Sequence, residues 1–211
     1  QNNDPEIVYA WNLICDISRI SFNDIYDRLN VKLEECGESF YRTMLPDTVI
    51  ELEKNNLITD TDGAKMVFSN IKKKKKHPLV VVKSNGGFTY DTTDLAAIKY
   101  RLIDLKMDHV YYVVDNGQKP HFDLIFDTAK RIGWLTDKHT VKHIGFGVVL
   151  GEDGKRIKSR DGDTIPLTDL LDTSLDRAKT TIEDRNTEHM TEIEIQNAIN
   201  SIAYGAIKYA D

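Results

Sequence analysis

Leu79-Val80-Val81-Val82, Val110-Tyr111-Tyr112-Val113-Val114 and the run from Val141 to Leu150 decide the fold. Each is apolar, short and rich in β-branched or aromatic side chains, and the first is closed by Asn85-Gly86-Gly87, so each reads as a buried strand. Between the first two, Leu95, Ile98, Leu102 and Leu105 recur at helical spacing, with Asp91 as the expected cap. Between the second and third, Phe122, Ile125, Phe126, Ala129 and Ile132 mark another helix, closed by Gly133. Strand–helix–strand–helix–strand predicts an α/β fold, a parallel sheet with crossover helices that binds ligands beyond its carboxyl edge.

On the amino-terminal side, Asp4-Pro5 predicts a helix start, and Ile7, Ala10, Trp11, Ile14 and Ile17 give it an apolar stripe. A polar stretch through Cys36-Gly37-Glu38-Ser39 leads to an amphipathic segment from Pro46 to Leu57, a turn at Asp60-Thr61-Asp62-Gly63 and a short strand at Lys65-Met66-Val67-Phe68. Lys72 to Lys76 is an unbroken lysine run, read as a solvated loop or as a patch for a nucleic-acid backbone or for targeting. On the carboxyl-terminal side, Thr168 begins one helix, and Thr191-x-x-Glu194 is a capping box before a last one carrying Ile195, Ile199 and Ile202. The expected segments are residues 1–76, 77–163 and 164–211.

Composition narrows the function classes. With 28 Lys and Arg against 34 Asp and Glu, the net charge of −6 means that any RNA contact has to be a local patch. Two cysteines without a Cys-x-x-Cys pair exclude a disulfide scaffold and a cysteine-built zinc site. No apolar run reaches the ~18 residues of a membrane span. Reduced thiols and the lack of an export signal favour the cytoplasm, and the absent initiator Met suggests a piece of a longer protein.

Several polar groups fall where the predicted strands end. Tyr90 and Asp94 sit where a strand meets a helix; they serve the helix end, or they face a ligand, in which case the carboxylate suits a planar guanidinium and the ring can stack on it. Asp115-Asn116-Gly117-Gln118 is a turn or a ligand contact, and His121 a surface or site residue. Gly145-Phe146-Gly147-Val148-Val149-Leu150-Gly151 is not a dinucleotide fingerprint, because Leu150 holds the third glycine position; its small residues let a flat base approach, or simply pack. Lys142, Lys155, Arg156, Lys158 and Arg160 face only Glu152 and Asp153, so the loop through Lys155, Arg156, Lys158, Ser159 and Arg160 is cationic within an acidic chain. It is an exposed turn, or it neutralises a transferring phosphate.

Taken together, Thr89 to Leu102, Tyr112 to Phe122, His143 to Gly151, Lys155 to Leu167 and Tyr204-Gly205-Ala206-Ile207-Lys208-Tyr209-Ala210-Asp211 resemble the catalytic domain of the arginyl-tRNA synthetases, class I aminoacyl-tRNA synthetases. The resemblance implies half of a Rossmann-like nucleotide fold at 77–163, a small α+β connecting insertion at 1–76, and helices at 164–211 leading toward an anticodon-binding domain. It implies arginine binding by Tyr90, Asp94 and Gln118, ATP contacts at His121, Gly145, Phe146, Gly147, Val148 and Val149, and a catalytic loop at Lys155, Arg156, Lys158, Ser159 and Arg160 standing in for KMSKS. It implies ATP as substrate, with magnesium, and tRNA(Arg) as partner, in a monomeric cytoplasmic enzyme with no metal held by the protein. No HIGH motif occurs, so an internal fragment, inactive alone, is expected. The alternative is a non-catalytic RNA-binding or scaffold module derived from a synthetase.

Overall fold

The computed structural model describes residues 4–70, 78–147, 166–185 and 189–210. The chain divides into two compact units, one formed by Gln1–Glu34 with Ile157–Asp211 and the other by Glu35–Arg156.

The first unit is helical. Helix α1 (Pro5–Arg28) starts as its sequence predicts, with Pro5 in the first turn and the Asp4 carboxylate accepting the Glu6 amide at 3.0 Å. Along its apolar stripe Ile7, Trp11, Ile14 and Ile17 are all exposed, and no residue of α1 is buried among the described residues. Helices α5 (Leu167–Glu183) and α6 (Glu192–Ala210) pack through Ala178, Ile182, Ile199 and Ala203, the alanines letting the two backbones approach. The capping box forms: the Thr191 amide donates to the Glu194 carboxylate at 2.8 Å, and the Glu194 amide donates to Thr191 Oγ1 at 3.3 Å.

The second unit carries the sheets. A 3-10 stretch over Glu38–Met44 leads into helix α2 (Leu45–Lys54), then strands β1 (Thr59–Thr61) and β2 (Ala64–Val67). Asp62 and Gly63 both take positive φ at the hairpin turn, which is why glycine stands there. Next come strand β3 (Leu79–Val82), helix α3 (Tyr90–Lys99) extended by a π-helical turn at Tyr100–Asp104, strand β4 (His109–Asp115), a 3-10 turn at Asn116–Gln118, helix α4 (Lys119–Arg131) and strand β5 (Thr140–Phe146). Gly133, at φ 87°, ends α4 in the left-handed conformation expected of it. β4 and β5 are parallel, in register from His109 opposite Thr140 to Asp115 opposite Phe146, with α4 as the crossover. The α/β class and a parallel sheet with helices are therefore present.

One expected pairing differs. β3 does not join β4; it pairs antiparallel with β2, in the order β1-β2-β3. The reason lies in α3, whose first turn supplies side chains in place of a neighbouring strand. The Asp91 carboxylate accepts the Val80 amide at 2.6 Å, Thr89 Oγ1 donates to the Val80 carbonyl, and Thr92 Oγ1 donates to the Val81 carbonyl. Val49, Leu52 and Val67 share one apolar core with Val81, Leu95, Ile98, Phe122, Ile125 and Trp134.

Candidate functional site

The cap of α3 is not Asp91. Thr89 is the N-cap, closing a box with Thr92, and its Oγ1 accepts the Asp91 amide at 3.1 Å. Asp91 is released to turn inward. It is buried, one carboxylate oxygen is held by Val80 N–H, and the other lies 3.3 Å from His121 Nδ1. Burial above all, with the negative charge of Asp94 adding to it, pushes the Asp91 carboxyl above its ordinary range, although the Val80 amide and His121 pull the other way.

His121 is the third residue of α4, so the first turns of α3 and α4 meet at this point. Its Nε2 lies 2.7 Å from Asp94 Oδ2. The imidazole is thus gripped by two carboxylates three residues apart on one face of α3. The Tyr90 ring stands 5.3 Å from the imidazole, tilted by 56°, and the edge of Phe122 closes another side at 5.2 Å. Tyr90 itself is exposed and the Asp94 side chain one-third exposed, so an aromatic face and a carboxylate look outward together.

Beneath the site, Tyr112 on β4 is buried against Phe122 at 4.7 Å, and the Arg101 guanidinium lies 5.0 Å from its ring centroid. Burial pushes the Tyr112 hydroxyl up to about 12, against the opposing pull of Arg101.

Beyond the carboxyl end of β4, the Asp115 carboxylate accepts the Gly117 amide at 2.7 Å and shapes the turn. Gln118 is exposed at the N-cap of α4, where its side chain makes no capping bond. Gly145 stands beside this turn on β5. A Cβ there would fall 1.9 Å from Asn116 Oδ1, so only glycine admits the Asn116 carboxamide. Phe146 and Gly147 are exposed at the end of the strand. The structure therefore brings Tyr90, Asp94 and His121 into contact, with Gln118 on the turn leading to His121. Val148, Val149, Lys155, Arg156, Lys158, Ser159 and Arg160 lie outside the described residues, as does the run Lys72 to Lys76. Among the described residues, no group of three or more His, Cys, Asp or Glu side chains is arranged to hold a metal ion.

Two features escape the sequence reading. The inward role of Asp91 is carried by the threonine-rich start of α3, since a threonine one residue ahead of Tyr90 competes for the cap. The contact of Asn116 with Gly145 joins residues far apart in sequence, and no local signal announces it.

A family model described as tRNA synthetases class I (R), catalytic domain, matches residues 1–211. The chain belongs to that family. It is 51% identical over 216 residues to the cytoplasmic arginine–tRNA ligase of Cricetulus griseus, matching over the whole of this chain and 32% of the relative. Against the cytoplasmic arginine–tRNA ligase of Homo sapiens the identity is 49%, again over the whole chain and 32% of the relative. The chain thus spans about a third of the length of the curated relatives it matches. Among solved structures, the arginyl-tRNA synthetase of Plasmodium falciparum superposes with a TM-score of 0.85 at 36% identity, over all of this chain and 35% of that one. The Thermus thermophilus arginyl-tRNA synthetase, at 18% identity and a TM-score of 0.65 over 79% of this chain and 33% of that one, shares the fold.

Proposed function

We propose that this chain supplies part of the catalytic domain of an arginine–tRNA ligase. The observation that carries the reading is the pairing of an outward carboxylate, Asp94, with the exposed Tyr90 ring at the helix end beside the carboxyl terminus of β4. A guanidinium is planar and offers paired donors, so a carboxylate takes it bidentately and an aromatic face stacks on it; a lysine ammonium offers neither match. Half-identity to arginine–tRNA ligases supports the same substrate.

The reaction needs no protein nucleophile. The arginine carboxylate attacks the α-phosphate of ATP in line, pyrophosphate leaves, and a ribose hydroxyl of tRNA(Arg) then takes the arginyl group, releasing AMP. The protein positions the reactants and stabilises charge on the phosphates. Tyr90, Asp94 and Gln118 hold arginine in this reading. The β5 end at Gly145, Phe146 and Gly147, continuing to Val148 and Val149, lies by the adenine. The basic loop of Lys155, Arg156, Lys158, Ser159 and Arg160 meets the phosphates. Magnesium arrives on the ATP phosphates, and no residue is assigned to it. The setting is the cytoplasm, as for the cytoplasmic relatives, and the reading takes the enzyme as a monomer.

The test is ATP–pyrophosphate exchange by the full-length protein with tRNA present, arginine against lysine. Exchange driven by arginine alone supports the ligase. No exchange from a folded protein overturns it in favour of a non-catalytic module.

A further inference from the structure

Asp94 is not held by its own helix. Apart from His121, no hydrogen-bonding partner reaches its carboxylate among the described residues, which leaves its second oxygen for a ligand. His121 is in turn fixed from behind by Asp91, which is anchored to the β3 backbone through Val80 N–H. A chain of contacts therefore runs from the sheet to the ligand-facing carboxylate: Val80 amide, Asp91, His121, Asp94.

We infer that His121 is a positioning residue for Asp94, holding the carboxylate in its guanidinium-binding orientation through the hydrogen bond at Nε2. The inference rests on Asp94 as the arginine carboxylate.

The two contacts differ in kind. His121 Nε2 lies 2.7 Å from Asp94 Oδ2 and donates to it, because an ionised carboxylate only accepts. Asp91 stands 3.3 Å from Nδ1, an ion-pair distance without a hydrogen bond, and closes the other edge of the ring. Without the imidazole, Asp94 loses its anchor.

The neighbours of His121 include one other imidazole. From α3 it meets Tyr90, Asp91 and Asp94. On its own helix Lys119 and Asp123 pair with each other at 2.8 Å. From β4, Tyr112 lies beneath with Arg101 against it, and from β5, His143 packs on Phe122 at 5.7 Å. His143 is therefore the control imidazole.

The experiment measures arginine KM and kcat in ATP–pyrophosphate exchange by the full-length protein, with tRNA. His121→Ala raises the arginine KM about 10-fold, with kcat changed far less. His121→Gln, whose amide donates from near the Nε2 position, restores most of the affinity. His121→Leu, of similar volume but without a donor, behaves as His121→Ala, and His143→Gln keeps the original KM. If His121→Ala and His121→Leu keep the original KM while Asp94→Asn raises it, the positioning role is overturned and the arginine site stands. An Asp94→Asn variant with unchanged arginine KM overturns the site itself. Should His121→Ala fail to fold, the contrast of His121→Leu with His121→Gln decides alone.

Discussion

Asp94 and His121 meet at 2.7 Å from near the starts of two different helices, one preceding and one following strand β4 in the chain. Asp94 is therefore a carboxylate whose place is set by tertiary structure, and whose exposed edge is spare for a ligand. Removing it takes away the partner of the guanidinium. Asp94→Ala is expected to cost about 2–5 kcal/mol in arginine recognition, as for truncation of a buried charge pair. At 1.4 kcal/mol per tenfold, that is a fall of roughly 30- to 4,000-fold in kcat/KM for arginine. Exchange kinetics on the full-length variant check it, and unchanged kinetics refute the assignment.

The Asn116–Gly145 contact predicts a coupled pair. In Gly145→Ala the new methyl would sit 1.9 Å from Asn116 Oδ1 and 2.9 Å from His143 Cε1, both at the ends of side chains. The carboxamide swings away while the β5 backbone stays, so stability falls by less than about 1 kcal/mol. The turn that leads through Gln118 to His121 is disturbed more. The expected outcome is a raised ATP or arginine KM with little change in Tm. Adding Asn116→Ala should abolish most of the extra penalty of Gly145→Ala, a coupling that a double-mutant cycle reads directly. Additive effects would mean that the contact does not transmit to the site.

How much of this was legible depended on the range of the interaction. The strands at Leu79, Val110 and Val141 announce themselves through composition, and the helices between them through apolar spacing. Tyr90, Asp94 and His121 follow from where those elements join. The partner of β3 does not, because an apolar run records burial and not which edge is paired. That choice was made by Asp91, Thr89 and Thr92, whose side chains reach the β3 backbone. The stripe on α1 is the reverse case. Its period gives the helix correctly, yet periodicity cannot say whether a partner is present.

Glu51 ties α2 to the rest of its unit. Its carboxylate accepts the Trp134 indole N–H at 2.7 Å and pairs with Lys99. Partial burial works against the charge, but these two hydrogen bonds win and hold the Glu51 carboxyl below its ordinary range. A depressed carboxyl stabilises the fold above its unfolded pKa, about 4.3, and the contribution fades as pH falls through the folded value. Trp134 is buried, so Glu51→Ala also strands an indole donor, and about 2 kcal/mol of destabilisation is expected near neutrality. Thermal unfolding of the full-length protein at pH 7 and at about pH 4 should show the variant's deficit shrinking at the lower pH. A deficit independent of pH would assign the effect to packing alone.

The last prediction concerns the sheet face turned away from α4. Along β4, Val110 and Tyr112 are buried, while Tyr111 and Val113 are 50% and 62% exposed. On β5, Ile144 and Phe146 are exposed beside them. Parallel strands are ordinarily covered on both faces, and a bare apolar patch recruits whatever apolar surface is near. Produced by itself, the 211-residue chain should bind a hydrophobic dye and associate in a concentration-dependent way. Val113→Lys with Ile144→Glu should suppress both without lowering Tm. The curated relatives are about three times as long. If the remainder of the protein covers this face, the same pair of substitutions should destabilise the full-length protein by several kcal/mol, because two charges would be buried. Equal tolerance in the short and long forms would instead mean that this face meets water in both.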